Sequence, residues 1–257
     1  MAFPTNLTLQ YYYFAGENVI HMQMARGIWD IAETRLANAV LSYGCRSTHS
    51  SRLMVDVGMN IGYFSAMALA AGCRVVAFEP TEYHHPYAMM TATLSGYQNR
   101  FTFYKLAASN KTGVKIPFND WSVAQSMNQQ ENGTLLPYTL TTRVDDIIHE
   151  DVLYLKVDVE GHEPEVFLGL SELLETKMVL VIVWEHSTVE RTGNIPLPAK
   201  YLSDLGYFVS ELHHGGVENF VGLHPKVDPI LRDTIMSMKD INIKDVMAHR
   251  GVNWWDY

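Results

Sequence analysis

The sequence predicts an α/β fold with a mostly parallel sheet, helices on both of its faces and an antiparallel hairpin at one end. Apolar runs rich in β-branched residues alternate with segments whose apolar residues recur at helical spacing. The first such run, at 53–57, passes through a glycine-spaced turn into a helical segment. Acidic residues follow several runs, where the carboxyl ends of parallel strands are expected to meet at one ligand-binding edge.

The order of the predicted elements follows from this alternation. Ahead of the glycine turn, helical spacing over 19–42 predicts one or two leading helices. From residue 53 onward, apolar runs bounded by turn residues alternate with amphipathic segments. The predicted elements are strand 53–57, helix 61–71, strand 74–79, helix 84–96, strand 101–107, strand 152–158, helix 163–175 and strand 178–184.

The polar stretch and the last third of the chain complete the predicted fold. Residues 111–142 are rich in asparagine, glutamine, glycine and threonine, which predicts an irregular excursion or a small hairpin rather than a core element. A helix at 197–205 precedes strands 207–212 and 218–223, which form the antiparallel hairpin with residues 213–216 as its turn. A last helix is predicted near 229–239.

Length and composition are those of an ordered globular protein. The 257 residues suit one α/β domain with added terminal elements, and 47% of them are hydrophobic. We expect an N-terminal helical extension over 1–50, a main domain over 51–224, and a C-terminal helical and aromatic tail over 225–257 that packs on the domain. The aromatic cluster 11–14 and the tail are compatible with packing on the chain's own core or with a homodimer interface.

Charge and cysteine content limit the partners and the compartment. A formal net charge of −9 argues against a long nucleic-acid substrate, because such binders concentrate lysine and arginine. No apolar stretch is long enough to span a membrane. The two cysteines, Cys45 and Cys73, are too few for a disulfide framework or a cysteine-rich zinc site, and we expect a cytoplasmic protein.

The glycine turn and the acid after the next strand predict a nucleotide-type cofactor site. Glu79 lies about 20 residues beyond Gly58, the distance expected for an acid that binds ribose hydroxyls. Asn60 stands where a dinucleotide fingerprint needs glycine, and Asp56 would repel a pyrophosphate. S-adenosylmethionine, which has no phosphate, fits better, and its carboxylate is expected against the amides of the turn that ends at Gly62. The alternative is an NAD(P)-dependent oxidoreductase.

A second charged segment lies at the end of the predicted strand 152–158. Its two-residue period places Lys156, Asp158 and Glu160 on one face, and burying three ionisable groups without a purpose is costly. Pro164 beside Glu163 marks a helix start, so the segment is a strand-to-helix corner at the ligand-binding edge. The structural alternative is an ion pair of Lys156 with one of the acids, plus helix capping.

These motifs together resemble the FkbM family of S-adenosylmethionine-dependent methyltransferases. The resemblance covers about half of the chain, and its four blocks occur in the family's order. It implies a class I methyltransferase fold, which is Rossmann-like, with S-adenosylmethionine as donor and S-adenosylhomocysteine as product. It further implies O-methylation of a hydroxyl on a small molecule, saccharide or other natural product. The blocks are residues 55–65, 78–80, 141–146 and 155–163.

The resemblance also implies roles for individual residues. Asp56, Gly58, Asn60 and Gly62 line the methionine end of the cofactor, Glu79 holds the ribose, and Asp158 lies beside the transferring methyl group. Met59 replaces the small residue that is usual in the family at its position.

Removal of a hydroxyl proton requires a general base, and the charged corner supplies the candidates. Asp158 is the first candidate, Lys156 favours the alkoxide, and His162 is an alternative base. Glu185, at the end of the next strand, is expected to orient the acceptor or to share a divalent ion with Asp158, although the sequence does not identify the several oxygen ligands that a metal site needs, and a metal is not favoured. A cofactor-binding protein without catalytic activity is the remaining alternative.

Overall fold

The computed structural model describes residues 30–46, 52–117, 138–185, 198–214, 217–238 and 244–245. Seven α-helices lie in these ranges: α1 Ile31–Gly44, α2 Tyr63–Ala71, α3 His85–Leu94, α4 Glu163–Leu168, α5 Ser171–Thr176, α6 Pro198–Asp204 and α7 Pro229–Met236. The strands are β1 Leu53–Val57, β2 Arg74–Phe78, β3 Phe101–Tyr104, β4 Ala107–Ala108, β5 Lys115–Pro117, β6 Tyr138–Thr142, β7 Val152–Val157, β8 Val179–Glu185, β9 Phe208–His214, β10 Val217–Leu223 and β11 Lys244–Asp245.

The main sheet has eight strands in the order β11-β9-β10-β8-β7-β1-β2-β3. The five strands from β8 to β3 are parallel, whereas β10, β9 and β11 pair antiparallel at the other end. The chain moves outward from β1 through β2 to β3 and then returns to β7 on the other side of β1. The crevice between β1 and β7 is therefore the switch point at which open α/β sheets bind ligands.

Register brings the carboxyl ends of four strands into one row. Val57 pairs with Phe78 on one side and with Val157 on the other, and Val157 pairs with Trp184. The residues that end or follow these strands are consequently neighbours at one edge of the sheet. Those residues are Gly58, Glu79, Asp158 and Glu185.

Helices cover both faces of the sheet, as the alternation predicts. One face packs against α1, α2, α3 and α7 through apolar side chains such as Leu36, Leu69 and Leu231. The other face packs against α4, α5 and α6 through Phe167, Leu173 and Leu202. Residues of α1 and α7 thus share a core with the sheet, while the division into an extension, a domain and a tail stays a prediction. None of the helices in the described ranges has the length and apolar character needed to cross a membrane.

Several element boundaries were predicted wrongly. Strand 101–107 ends at Tyr104, and Ala107–Ala108 instead pairs with β6 in a second, three-stranded sheet, β4-β6-β5. The antiparallel β5 and β6 match the hairpin alternative for 111–142, although residues 118–137 lie outside the described residues. His213 and His214 belong to β9 rather than to a turn. The leading helix ends at Gly44, and residues 19–29 lie outside the described part.

The predicted helix 163–175 is two helices, α4 and α5. In a continuous helix Leu173 N would donate to Gly169 O, but Gly169 O instead accepts from Asp145 N at 3.0 Å, and a Cβ added to Gly169 would overlap the carbonyl oxygen of Ser109. Asp145 then starts the second helix, because its carboxylate accepts hydrogen bonds from the amides of Glu172 at 3.2 Å and Leu173 at 2.8 Å.

The two cysteines form a disulfide bond, although two are too few for the framework considered from the sequence. Cys45 follows α1 and Cys73 precedes β2, and both are buried. The bond ties the end of the leading helix to the main sheet. Disulfides persist mainly in oxidising compartments, which bears against the expected cytoplasmic location.

Candidate active site

The glycine turn after β1 passes through the left-handed region of backbone conformation three times. Gly58, Asn60 and Gly62 have φ values of 80°, 53° and 86°, which favour glycine or asparagine over other residues. A Cβ on Gly58 would overlap the carbonyl oxygen of Asp158, and the Asp158 amide donates to Val57 O at 2.9 Å. The turn and the charged corner after β7 are therefore packed directly against each other.

The amides of the turn are committed to acceptors within the protein. Gly58 N and Met59 N donate to Phe78 O at 2.9 and 3.2 Å, and Gly62 N donates to Met59 O at 2.9 Å. Asn60 N donates to Glu79 Oε2 at 2.9 Å, and Ile61 N donates to Asn60 Oδ1 at 2.8 Å. A pyrophosphate would have to compete for these donors, and the cofactor carboxylate expected here from the sequence would meet the same competition.

Hydrogen bonds to both oxygens hold the Glu79 carboxylate in place beside the turn. It is buried, and its Oε1 accepts a hydrogen bond from Thr81 N at 2.8 Å. His84 Nδ1 lies 3.5 Å from the same oxygen. Although burial alone would raise it, His84 and the hydrogen bonds from Thr81 lower the pKa of Glu79. The group therefore stays ionised and can accept hydrogen bonds from ribose hydroxyls.

Asp56 lies below the turn rather than in the cleft. Its residue is 1% exposed, it pairs in register with Lys156, and its Oδ2 accepts from Ser65 Oγ at 2.6 Å. Burial raises the pKa of Asp56, against the opposing effects of Lys156 and Ser65. We infer that Asp56 orders the first turn of α2, and this burial does not favour the direct cofactor contact expected from the sequence.

Lys156 and Asp158 form an ion pair that reaches from the interior into the cleft. The Lys156 Nζ and Asp158 Oδ2 atoms are 2.8 Å apart, and the two side chains are 5% and 33% exposed. Burial opposes the lysine charge, but Asp158, Glu33 and Asp56 outweigh it and raise the pKa of Lys156. The ion pair that the sequence offered as a purely structural explanation is thus present, and Asp158 nevertheless faces the cleft.

The corner after β7 is a turn and not a continuation of the strand face. Glu160 and Gly161 have φ values of 56° and 96°, so the two-residue period does not extend to Glu160. Glu163 closes the turn, because its Oε1 accepts from Val159 N at 2.9 Å and Gly161 N at 3.3 Å. Burial raises the pKa of Glu163 to about 7 despite these bonds. Glu163 therefore has a structural role in this turn.

Three carboxylates meet at the mouth of this corner. One oxygen from each of Asp158, Glu160 and Glu185 lies within 4.8 Å of the others. Burial, Asp158 and Glu160 raise the pKa of Glu185 to about 9. Burial and then Asp158 raise the pKa of Glu160 to about 7. Glu185 consequently carries a proton at neutral pH, and the geometry also matches the divalent-ion alternative that the sequence analysis did not favour.

The contacts of His162 indicate a structural role more than the role of a general base. Its Nε2 lies 3.0 Å from Ser109 Oγ, and its Nδ1 lies 3.6 Å from Glu165 Oε2. Burial lowers the pKa of His162, with Glu165 opposing that effect. Both ring nitrogens thus face side chains, of Ser109 directly after β4 and of Glu165 on α4, which weakens the case for His162 as the alternative base.

Sequence reasoning missed Glu33, which α1 buries close to Lys156. The available signal was the pattern Asp30-x-x-Glu33, which resembles a capping box at a helix start. In the structure Asp30 Oδ1 accepts from Glu33 N at 2.9 Å, but the Glu33 side chain turns inward.

Comparisons with known proteins agree with this architecture. The family model of the methyltransferase FkbM domain matches residues 56–214, more than half of the chain. A search of curated proteins found no match. Magnesium protoporphyrin IX methyltransferase from Synechocystis PCC 6803, solved with bound S-adenosylmethionine, is 13% identical with a TM-score of 0.50 over 83% of this chain and 87% of that chain.

Two further solved structures resemble the chain. Methyltransferase FkbM from Methylobacillus flagellatus KT is 17% identical with a TM-score of 0.49, over 79% of this chain. The match spans only 57% of that protein's length. The O-methyltransferase from Bacillus cereus in complex with S-adenosylhomocysteine is 12% identical with a TM-score of 0.48, over 80% of this chain and 88% of that chain. The predicted class I methyltransferase fold is confirmed, and the chain belongs to the methyltransferase FkbM domain family.

Proposed function

We propose that this chain transfers a methyl group from S-adenosylmethionine to a hydroxyl of a small molecule or saccharide. The observation that carries the proposal is the packing of Gly58 on the backbone of Asp158. This contact joins the cofactor turn to the charged corner at the switch point between β1 and β7, where ligands of open α/β sheets bind. A donor held by the turn and Glu79 would present its reacting end to Asp158.

The turn favours a phosphate-free cofactor over a dinucleotide. Its five amides from Gly58 to Gly62 already donate within the protein, and the carboxylates of Asp56 and Glu79 lie close by. The lack of free donors affects the carboxylate of S-adenosylmethionine and a pyrophosphate alike, but the two negative charges of a pyrophosphate are repelled more strongly by these carboxylates. This argues against the oxidoreductase alternative. When bound, S-adenosylmethionine supplies a methyl group activated by the adjacent sulfonium.

Asp158 is the proposed general base for the acceptor hydroxyl. It is the partly exposed member of its ion pair, so it can accept a proton from an acceptor in the cleft. Lys156 approaches it from below and favours negative charge on the developing alkoxide. Glu185 is hydrogen-bonded to Asp158, and its proposed role is to orient that base, and through it the acceptor hydroxyl.

The proposed reaction needs no divalent metal. The Lys156 ammonium already neutralises Asp158, the member of the carboxylate cluster that faces the cleft. A cation at Asp158, Glu160 and Glu185 would have to compete with that ammonium.

The test is Asp158→Asn, assayed by transfer of labelled methyl groups to pools of hydroxylated saccharides and natural products. Loss of the base should lower turnover about 100-fold or more, while the Kd for S-adenosylhomocysteine changes no more than a few-fold. The matched control is Asp204→Asn, which removes only an exposed charge paired with Lys200. Unchanged turnover in Asp158→Asn would eliminate Asp158 as the base. Binding of S-adenosylhomocysteine without methylation of any acceptor would favour the non-catalytic alternative.

The remaining expectations about partners and compartment stay predictions. The formal net charge of −9 supports the exclusion of long nucleic acids, and a homodimer is tested by sedimentation of the full chain. A cytoplasmic location is tested by the redox state of Cys45 and Cys73 in the cell, since a reducing compartment would keep both thiols free.

A further inference from the structure

Glu33 is a buried carboxyl group that lies outside the family-matched segment. The match begins at residue 56, whereas Glu33 stands in the first turn of α1. The Asp30 side chain caps this helix by accepting from the Glu33 amide, which fixes the position of the turn. The Glu33 residue is only 4% exposed, so the helix delivers a carboxyl group to the interior.

The surroundings of Glu33 are those of the candidate active site. α1 packs against β7 and α2, and Thr34, next to Glu33, donates from Oγ1 to Tyr63 Oη at 3.2 Å, so the first turn of α1 lies against the start of α2, directly after the glycine turn. Glu33 Oε1 has no hydrogen-bond partner within the part of the chain that the structure describes. The ionisable groups that interact electrostatically with Glu33 are Lys156, Asp158, Asp30, Asp56 and Tyr154.

Because Glu33 is buried, its carboxyl group can gain or lose a proton near neutral pH. Burial raises the pKa of Glu33 to about 8, with Lys156 opposing the effect and Asp158, Asp30 and Asp56 adding to it. The carboxyl group therefore carries a proton at pH 7. A further positive charge within electrostatic range would stabilise the carboxylate and drive this proton into solvent.

We propose that Glu33 is a specificity-determining residue that favours the cationic methyl donor over its uncharged product. The inference rests on the proposed function. S-adenosylmethionine carries a sulfonium charge that S-adenosylhomocysteine lacks, and the rest of the two molecules is the same. Asp158, the proposed neighbour of the transferring methyl group, interacts with Glu33, so a positive charge there lies within range of Glu33. The ionised Glu33 stabilises the donor complex, and this stabilisation is lost once the methyl group has left.

The experiment is calorimetry of the full chain with S-adenosylmethionine and with S-adenosylhomocysteine at two pH values below and above 8. Buffers of different ionisation enthalpy report the protons released. In the unmodified chain, the preference for the donor should increase about three- to tenfold with pH, and the donor should release more protons than the product. In Glu33→Gln this increase should fall below about twofold, with the product Kd unchanged within about twofold.

Two further variants separate ionisation from packing. Glu33→Asp retains a titratable carboxyl group and should keep the pH-dependent preference. Glu150→Gln makes the same exchange at an exposed ion pair with Arg74 and should match the unmodified chain.

Three results would overturn the inference. If Glu33→Gln keeps the full pH-dependent preference, another acid such as Glu185 is responsible. If the unmodified chain releases equal numbers of protons with both ligands, the inference fails whether or not the variants fold. Failure of either ligand to bind the unmodified chain would overturn the proposed function as well.

Discussion

Glu79 and Glu185 occupy equivalent places in the sheet and differ in charge state. Each stands at the carboxyl end of a parallel strand, β2 or β8, and each is largely buried. Glu79 accepts hydrogen bonds from the amides of Asn60 and Thr81, and its pKa is lowered in spite of burial. Glu185 is buried beside Asp158 and Glu160, and its pKa is raised to about 9.

The comparison teaches that local donors, and not burial alone, decide what a carboxyl group at this edge can do. His84 and the hydrogen bonds from Thr81 lower the pKa of Glu79 against the effect of burial, which leaves an anion that can accept further hydrogen bonds. At Glu185 burial acts together with the like charges of Asp158 and Glu160 to raise the pKa, which leaves a group that can donate a hydrogen bond or change charge when a ligand binds. The carboxyl group at the end of β2 is therefore held in one charge state, whereas the one at the end of β8 can change its charge.

The largest effect is expected from a substitution in the glycine turn beside Glu79. Gly58→Ala should lower the free energy of unfolding by at least about 3 kcal/mol and abolish S-adenosylhomocysteine binding, because φ is positive and the new Cβ overlaps the Asp158 carbonyl. Thermal unfolding and calorimetry measure both. Gly113→Ala is the matched control, since Gly113 has φ of 79° but no atom within 4 Å of an added Cβ. It should cost only about 1 kcal/mol. Equal losses in the two variants would show that the turn is not closely packed on the corner.

The next effect sharpens the comparison at Glu79. Glu79→Gln should weaken S-adenosylhomocysteine binding at least about tenfold and destabilise the fold by about 2 kcal/mol, because charge-assisted hydrogen bonds from two amides are lost. The stability difference has a defined pH dependence. The lowered pKa of Glu79 contributes stability above the ordinary carboxylate range, and this contribution is lost as pH falls through the folded-state pKa. Urea unfolding from neutral to acidic pH measures it, and a pH-independent difference would contradict the prediction.

A smaller effect of opposite sign is expected at Glu185. Its pKa is raised from 4.5 to about 9, so the folded state binds the proton more tightly, and stability falls as pH rises across that interval. Glu185→Gln cannot ionise and should show a shallower fall in Tm between neutral and alkaline pH. Glu150→Gln serves as an exposed control. A fall in Tm as steep in Glu185→Gln as in the unmodified chain would mean that Glu185 ionises freely.

The smallest expected effect concerns metal ions. Removal of divalent cations with a chelator should change turnover less than about twofold, because the Lys156 ammonium already forms an ion pair with the Asp158 carboxylate. Methyl transfer to the acceptor pool before and after chelation measures this. Restoration of lost activity by magnesium or manganese would instead assign a cation to Asp158, Glu160 and Glu185.

Much of the fold could be predicted because the sheet leaves local marks in the sequence. Buried parallel strands are β-branched runs, as at β1 and β2, and the glycine turn and Glu79 follow at fixed distances. The row formed by Gly58, Glu79, Asp158 and Glu185 then follows from strand register alone. These were also the positions that the sequence singled out.

The missed features depend on contacts between distant segments. At Gly169 the helical hydrogen bond from Leu173 is replaced by bonds to Asp145, and nothing in the helical spacing of 163–175 indicates this break. The inward side chain of Glu33 depends on how α1 meets β7, which a charge in a first helical turn does not reveal. Asp56 was expected near the cofactor, but only the structure shows that its carboxylate binds Ser65 beneath α2.

The bond between Cys45 and Cys73 closes a loop with a sequence separation of 28, and that loop contains β1, the glycine turn and α2. Closing a loop of this length reduces the conformational freedom of the unfolded chain by an amount worth about 3 to 4 kcal/mol. The disulfide-closed loop therefore encloses the glycine turn, and reduction of the bond would loosen the helix that carries Glu33 together with the strand that precedes Gly58.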